Sequence, residues 1–392
     1  MAESIKDKVA IVGMGCTKFG ELWDKSASEL AVDAAYEAFA DAGIESNDIQ
    51  ACWVGTTDVV SSGMAGLAAS APLRLQYKPV TRVENMCATG SDALRNACYA
   101  VAAKVYDIVL VLGVEKMKDT GQSGLTVGGT PANVGPNATN PGMFAMMATK
   151  YFARYGLNPQ EGKTMLAKVV VKSHFNGSLN PKAHFQRAIP LEQVLNAPII
   201  AWPLGLFDCC GVSDGAAAAI VVPAADVGKF NSSPVFVKAL QICVGPADGL
   251  VRSDYDYTHV EETYRAGVAA YAEAGIKDPR HEISMAEVHD CFSITEAVIM
   301  EDLQFSPRGR VKDDIEAGTF ALKGEIPIQP DGGLKCFGHP VGATGLRMLY
   351  EMYKQLQGKA GPRQIKSPQL GLTHNMGGAP PTCTVSCIIV GV

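Results

Sequence analysis

The sequence of 392 residues has little charge and no cluster of basic side chains. Charged residues make up 19% of the chain and hydrophobic residues 47%, with a formal net charge of -6. Such a hydrophobic share allows a large buried interior, as in a compact enzyme. Without a Lys/Arg-rich block to meet phosphates, the negative balance argues against a nucleic-acid partner but leaves room for a basic pocket for one small anion.

Long apolar runs and a disulfide pattern are also missing. No apolar run reaches the length of a membrane span, and the polar N-terminal residues lead directly into a predicted strand. We therefore expect neither a signal peptide nor a membrane span. The 11 cysteines are scattered, odd in number and often inside apolar segments, which indicates reduced, buried thiols in a cytoplasmic protein.

What the sequence does contain is two similar halves. Helices are predicted over 26–43 and 258–275, and each is followed by a predicted strand. Ser26 and Thr258 are each followed three residues later by Glu, which predicts two capping boxes, and a glycine closes each helix. A second helix and strand recur after Cys87 and after His339. This repetition predicts an α/β fold of two βαβ-rich halves related by a pseudo-twofold axis.

The halves differ in one long insertion. We expect an N-terminal half over 1–225, including a loop domain at about 118–203, and a C-terminal half over 232–392. The insertion contains "GQSGLTVGGTPANVGPNATNPGM", which has little helix or strand signal. A long excursion of this kind typically covers a site or binds a ligand, and a flexible surface loop is the alternative.

Two reactive side chains stand at the starts of matching predicted helices. Cys87, in "NMCATGSDAL", lies where a helix dipole would lower the pKa of a thiol, although a structural thiol is the alternative. His339, in "GGLKCFGHPVGATG", precedes the corresponding helix of the second half. Because a nucleophilic thiol needs a nearby proton acceptor, His339 is the candidate base.

Two further motifs follow predicted strands. "HDCF" places His289 and Cys291 at a junction between strand and helix, and "NMGG" places Gly377 where its backbone N–H could meet an oxyanion. Zinc binding is a competing interpretation of the cysteines and histidines. Their positions lack any CxxC or HxxxH spacing, so we expect no metal site.

Together these four segments resemble the thiolase superfamily, and the resemblance covers nearly the whole chain. It implies the thiolase fold, a five-layered α-β-α-β-α arrangement with an inserted loop domain. The chain is most similar to the sterol-carrier-protein-type and archaeal-type thiolases, which are acetyl-CoA acetyltransferase-like and share the HDCF motif. The best-known thiolases instead carry Asn-Glu-Ala-Phe there, and a cysteine where this chain has Asn375.

The resemblance also implies roles for individual residues. Cys87 would accept the acyl group, and His339 would be its base and part of a first oxyanion hole. His289 would complete that hole, and Cys291 would replace the missing acid/base cysteine. The backbone N–H groups of Cys87 and Gly377 would form a second oxyanion hole.

The implied reaction is CoA-dependent cleavage of a β-ketoacyl-CoA, or the reverse Claisen condensation, with CoA as co-substrate and no permanently bound cofactor. CoA would lie near the loop domain at 118–203, and its contact residues are not readable. Acetoacetyl-CoA and a bulkier ester such as benzoylsuccinyl-CoA are both candidate substrates. The alternatives are a β-ketoacyl-synthase-like decarboxylative enzyme and a non-catalytic acyl-CoA-binding subunit. A homodimer or dimer of dimers is implied, with a small zinc-ribbon/OB-fold protein as a further partner.

Overall fold

The computed structural model of the chain describes residues 4–57, 65–120, 139–231, 233–246, 255–380 and 382–392. Most of the Gly- and Asn-rich stretch of the predicted loop domain, residues 121–138, lies outside the described residues. Across the described ranges, no helix has both the length and the apolar composition needed to cross a membrane.

The described residues form 11 strands and 12 α-helices. The strands are β1 Val9–Cys16, β2 Ala51–Gly55, β3 Val80–Val83, β4 Val109–Glu115, β5 Ile199–Ala201, β6 Leu204–Gly205, β7 Gly215–Pro223, β8 Val235–Val244, β9 Met285–Glu287, β10 Leu370–Ala379 and β11 Thr382–Gly391. The α-helices are α1 Ala27–Ala42, α2 Ala65–Ser70, α3 Thr89–Ala102, α4 Asn140–Arg154, α5 Pro159–Ser178, α6 Leu191–Leu195, α7 Glu261–Ala274, α8 Pro279–Glu282, α9 Ser293–Asp302, α10 Val311–Ala317, α11 Gly333–Cys336 and α12 Thr344–Leu356.

Nine of these strands form one sheet in the order β3-β2-β4-β7-β1-β8-β11-β10-β9. The strands of the first half, β3 to β1, and those of the second half, β8 to β9, are contiguous within it. They join where Ala10 and Ile11 of β1 pair with Phe236 and Val235 of β8. The sequence predicted one sheet for each half, and the structure joins the two at this short antiparallel contact.

Helices cover both faces of each half-sheet. In β1, Ile11 belongs to the core shared with α3 and α12, whereas its neighbour Val12 belongs to the core shared with α1. In β8, Leu240 belongs to the α3 and α12 core, whereas its neighbour Ala239 belongs to the core shared with α7 and α9. Because side chains alternate between the faces of a strand, α3 and α12 form a central layer, with α1 and α7 outside. This is the predicted layering.

The two predicted capping boxes have different outcomes. In α1 the box is present, since Ser26 Oγ accepts from the Glu29 N–H at 3.3 Å and Glu29 Oε2 accepts from the Ser26 N–H at 2.8 Å. The second box is wrong because α7 begins only after Val260, whose N–H is bound by the buried Asp302, while Thr258 lies outside the helix. Both helices end at the predicted glycines, Gly43 and Gly275, and both glycines are in the left-handed conformation.

Candidate active site

The structure brings together Cys87, His289 and His339, which were predicted as site residues from the two helix starts and the HDCF motif. The Cys87 sulfur and one ring nitrogen each of His289 and His339 lie within 4.8 Å of one another. The two imidazole rings meet edge to face with centroids 5.3 Å apart. All three side chains are buried between the two halves of the molecule.

Cys87 lies in the tight turn between β3 and α3. Met86 has a φ of 49°, in the left-handed region that non-glycine residues rarely adopt. Asn85 closes the turn, since its carbonyl accepts from the Ala88 N–H at 3.0 Å and its N–H donates to Thr89 Oγ1 at 2.9 Å. The strained backbone therefore holds Cys87 in a fixed position just before the helix.

The predicted lowering of the Cys87 pKa is wrong. Burial raises the pKa of this thiol above its ordinary value, and nearby Cys210 and Glu115 raise it further. The start of α3 favours a thiolate, but removal of the sulfur from water has the larger effect. Cys87 is therefore a neutral thiol at rest and depends on a base to become a nucleophile.

His339 lies beside Cys87 in the orientation of such a base. Its Nε2 is 3.1 Å from the Cys87 Sγ, and its Nδ1 is 2.7 Å from Thr344 Oγ1. The Thr344 hydroxyl donates its one proton to the Pro340 carbonyl at 2.9 Å. It must therefore accept from Nδ1–H, so Nε2 carries the lone pair that faces the thiol. Burial, with a smaller effect of Arg347, lowers the pKa of His339 to about 3, so the ring is neutral.

His289 is held from behind by another histidine. Its backbone N–H donates to His374 Nδ1 at 3.4 Å, and His374 Nε2 lies 3.0 Å from the Thr263 hydroxyl. Burial lowers the pKa of His289 well below its ordinary value, and His339 lowers it further. Among the described residues, no hydrogen-bond partner reaches His289 Nδ1. His289 is thus a neutral, largely unengaged polar group next to the thiol.

Cys291 is the second thiol of the site, at the start of α9. Its Sγ lies 3.8 Å from Thr295 Oγ1 within the first turn of that helix. Burial raises the pKa of Cys291 well above the ordinary value, and the proximity of Cys87 raises it further. Cys291 is therefore a protonated thiol, the form in which it can donate a proton.

A buried ion pair fixes the HDCF loop against the segment that carries His339. Asp290 accepts from Lys335 Nζ and from the Leu334 N–H, both at 2.6 Å. Both members of the ion pair are fully buried. Since breaking a buried charged pair leaves an uncompensated charge, this contact keeps the two loops in one arrangement.

Strand β10 passes directly behind the nucleophile. A Cβ atom on Gly377 would lie 2.4 Å from the Asn85 carbonyl oxygen and 3.1 Å from the Cys87 nitrogen. Only glycine permits this approach. Asn375, where the best-known thiolases have a cysteine, accepts from Ser91 Oγ at 2.7 Å and so ties β10 to the first turn of α3.

A cavity of about 410 Å³ leads to the site. Val212 lines this cavity and also packs against Cys87 in one buried cluster. The other lining residues are mainly apolar: Asn140, Pro141, His174, Phe185, Ile200, Leu206, Phe207, Cys209, Cys210, Gly211, Phe292 and Lys335. Phe292 stacks on Phe144 of α4 with ring centroids 4.5 Å apart, so the HDCF motif supplies one wall.

Several residues of the site had no sequence signal of their own. Thr344 lies inside the GGLKCFGHPVGATG motif and His374 directly precedes NMGG, but their roles depend on which neighbours the fold supplies. Lys335 resembles a surface lysine in the sequence and is 1% exposed. The close grouping of Cys87, His289 and His339 also meets the distance criterion for a metal site, so the absence of a metal stays a prediction.

Acyl transfer is the chemistry that a neutral thiol and an imidazole base support, and known proteins of similar sequence perform it. The chain belongs to the thiolase family. The family model for the thiolase N-terminal domain matches residues 9–197, and the model for the thiolase C-terminal domain-like region matches residues 248–389. The predicted family, fold and acyltransferase class are confirmed.

Relatives extend over nearly the whole chain. An acetyl-CoA acetyltransferase of Methanothermobacter thermautotrophicus is 38% identical over 96% of this chain and 98% of its own length. Sterol carrier protein 2 of Gallus gallus is 32% identical over 96% of this chain and 71% of its own length. A benzoylsuccinyl-CoA thiolase subunit of Thauera aromatica is 28% identical over 95% of this chain and 96% of its own length.

The fold is also found among solved structures. The Ltp2-ChsH2(DUF35) aldolase has a TM-score of 0.84 and 25% sequence identity, with 100% of this chain and 99% of that chain covered. The predicted fold therefore agrees with a known structure along its full length.

Proposed function

We propose that this enzyme transfers the acyl group of a β-ketoacyl-CoA to CoA through an acyl-Cys87 intermediate, or runs the reverse Claisen condensation. The observation that carries this proposal is the contact of 3.1 Å between Cys87 Sγ and His339 Nε2. Thr344 sets the tautomer in which Nε2 accepts the thiol proton. A buried thiol without such a base would be inert.

The first step is attack on the ketone carbon. Cys87 gives its proton to His339 Nε2 as the sulfur bonds to that carbon, and the ketone oxygen becomes an oxyanion. The backbone N–H groups of Cys87 and Gly377 would receive this oxyanion. The close approach of β10 to the Cys87 turn supports this assignment, because backbone donors held in fixed positions stabilise developing charge.

Cleavage of the carbon–carbon bond then releases an enolate of the shorter acyl-CoA. His289 and protonated His339 would hold the enolate oxygen, and the Cys291 thiol would protonate the enolate carbon. CoA next enters, gives its thiol proton to the Cys291 thiolate and attacks the acyl-Cys87 carbonyl. When the acyl group leaves on CoA, His339 returns its proton to Cys87.

Two esters are favoured as substrates by separate observations. Acetoacetyl-CoA is supported by the 38% identity to an acetyl-CoA acetyltransferase. A bulkier aromatic ester, for which benzoylsuccinyl-CoA is the example, is supported by the Thauera aromatica relative and by the aromatic walls of the cavity. We propose acetoacetyl-CoA first and the aromatic ester second.

Partners and location follow the same reasoning. CoA would approach along the cavity, whose walls include Asn140, His174 and Phe185 of the predicted loop domain. The solved aldolase joins Ltp2 to a DUF35 component, which supports a second protein for this chain. Its zinc-ribbon/OB-fold type, a homodimer or dimer of dimers, a cytoplasmic location and the division at 1–225 and 232–392 stay predictions.

Mass spectrometry of the Cys87 peptide tests the proposal directly. The chain is incubated with acetoacetyl-CoA or benzoylsuccinyl-CoA, with CoA withheld, and then digested. We expect the acyl mass on Cys87, lost on addition of CoA and absent from Cys87→Ala. A decarboxylative synthase would instead need a malonyl thioester for carbon–carbon bond formation, and a non-catalytic subunit would leave Cys87 unmodified with every ester.

A further inference from the structure

Cys210, a thiol in the cavity wall, has no part in the proposed reaction. Cys210 lines the cavity and is half-buried. Its neighbour Cys209 forms an antiparallel bridge with Phe292, and the Cys210 N–H donates to the Cys291 carbonyl at 2.9 Å. In antiparallel pairing, the residue after one member of a pair lies opposite the residue before the other member. Cys210 and Cys291 therefore face each other across this bridge.

Regular antiparallel geometry around this bridge would bring the two side chains within bonding reach. Residues directly opposite in antiparallel strands have Cα atoms about 4.5–5.5 Å apart, with side chains on one face. Disulfides occur at Cα separations of about 4.4–6.8 Å. Both cysteines are free thiols. After burial, the largest influence that raises the pKa of Cys210 is Cys291, which agrees with their closeness.

We propose that a hydroperoxide entering the cavity joins Cys210 to Cys291 in a disulfide and thereby stops the carbon–carbon bond step. The inference rests on the proposed acid/base role of Cys291. Cys210 is the first to react, because it lines the cavity while Cys291 is 2% exposed.

The oxidation balances with the hydroperoxide as the only co-reactant. The Cys210 thiol takes the terminal oxygen, becomes a sulfenic acid and releases an alcohol. The Cys291 sulfur then attacks the Cys210 sulfur, and hydroxide leaves with the Cys291 proton as water. Two electrons pass from the sulfurs to the broken O–O bond, and the thiols lose both of their protons.

The disulfide stops cleavage of the carbon–carbon bond but leaves acylation of Cys87 intact. Cys291 then has no proton for the enolate carbon, so cleavage stops. Cys87 remains a thiol beside His339 and still accepts an acetyl group from acetyl-CoA, because CoA leaves as a stable thiolate. Burial raises the pKa of both Cys210 and Cys291, so their thiolates are scarce at neutral pH and oxidation becomes faster as the pH rises.

Peptide mapping tests the bond without reference to activity. The full chain is treated with tert-butyl hydroperoxide, its free thiols are alkylated, and trypsin digestion follows without reductant. Cys210 lies in peptide 188–229 and Cys291 in peptide 281–308. We expect these peptides to be linked, and dithiothreitol to separate them. Since Cys209 shares the first peptide, Cys209→Ser should keep the link and Cys210→Ser should lose it.

Activity is measured on the same samples, each variant relative to its own untreated rate. We expect the treated chain to lose thiolysis about 100-fold, the scale of a missing general acid, and to regain it with dithiothreitol. Cys210→Ser should resist the treatment. The inference fails if an active enzyme gives no linked peptide, if Cys87 is joined to Cys291 instead, or if Cys210→Ser is inactivated equally fast. If the untreated chain shows no thiolysis activity but the treated chain gives the linked peptides, the disulfide is supported and the proposed function is contradicted.

Discussion

One hydroxyl group decides which nitrogen of His339 faces the nucleophile. Thr344 donates to the Pro340 carbonyl and so can only accept from Nδ1. We predict that Thr344→Val lowers the rate of Cys87 acylation about 100-fold, because Nδ1–H loses its acceptor and the imidazole loses its fixed tautomer. Thr344→Ser is the matched control, since it restores the hydroxyl. Stopped-flow release of CoA from acetyl-CoA measures the rate, and equal rates in the Val and Ser variants would contradict the prediction.

In the proposed reaction, the Cys291 sulfur is needed for the cleavage of the carbon–carbon bond and not for acylation of Cys87. Cys291→Ala should keep acylation of Cys87 by acetyl-CoA but lose thiolysis of acetoacetyl-CoA about 100-fold, because the enolate carbon has no proton donor. The acyl mass on Cys87 and the loss of acetoacetyl-CoA absorbance report the two activities separately. Thiolysis at the parental rate would remove Cys291 from the mechanism and leave Cys87 in place.

Among the secondary-structure elements, the approach of β10 to the turn before α3 positions the nucleophile. Gly377→Ala would place a Cβ 2.4 Å from the Asn85 carbonyl oxygen, a backbone atom that cannot turn aside. We expect the Cys87 turn to shift and acylation to fall about 100-fold, as for a displacement of about 1 Å at a reacting group.

A second glycine of the same strand provides the control for this substitution. Gly371→Ala would meet the flexible Met352 side chain at 2.6 Å, far along β10 from Cys87. It should lower the unfolding temperature yet leave the acylation rate of the folded enzyme near the parental value. Similar losses of acylation in both variants would mean that strand packing in general, rather than contact with the Cys87 turn, limits the reaction.

Whether a feature of an element could be predicted depends on how far apart in the sequence its contacting residues lie. The α1 capping box could be predicted because Ser26 and Glu29 lie three residues apart and satisfy each other. The α7 box failed because the distant Asp302 holds the N–H of Val260. The β1–β8 junction also depends on residues far apart in the sequence. Patterns of local spacing contain no information on such contacts.

For the molecule as a whole, duplication was the most informative sequence feature. It placed Cys87 and His339 at equivalent helix starts, and the fold brings these starts together around the central α3 and α12 layer. The pKa of Cys87 could not be predicted from the helix start, because it depends on how completely the two halves exclude water. The cavity likewise combines residues from separate parts of the chain, and its lining required the structure.

Complete burial of the neutral histidines makes the stability of the whole molecule dependent on pH. Burial lowers the pKa of His339 and of His374 from 6.5 to about 3. Between these values the unfolded chain binds protons that the folded chain does not, so the free energy of unfolding falls as the pH drops below 6.5. Each of the two contributes a slope of about 1.4 kcal/mol per pH unit.

The buried thiols make the folded chain less stable at alkaline pH. Burial raises the pKa of Cys16 and of Cys387 from 9.0 to about 12, so above pH 9.0 the unfolded chain loses protons that the folded chain keeps. We therefore predict that the histidines lower the urea midpoint of unfolding below pH 6.5 and that the thiols lower it above pH 9.0. Asp302, whose pKa burial raises from 3.8 to about 7, opposes the histidines on the acid side. His374→Gln removes one titrating group and should make the fall of the urea midpoint on the acid side less steep. Cys387→Ala should make only the fall on the alkaline side less steep. An acid limb equally steep in the parent chain and in His374→Gln would mean that other groups control the acid instability, such as carboxylates whose pKa the fold lowers, for example Asp314.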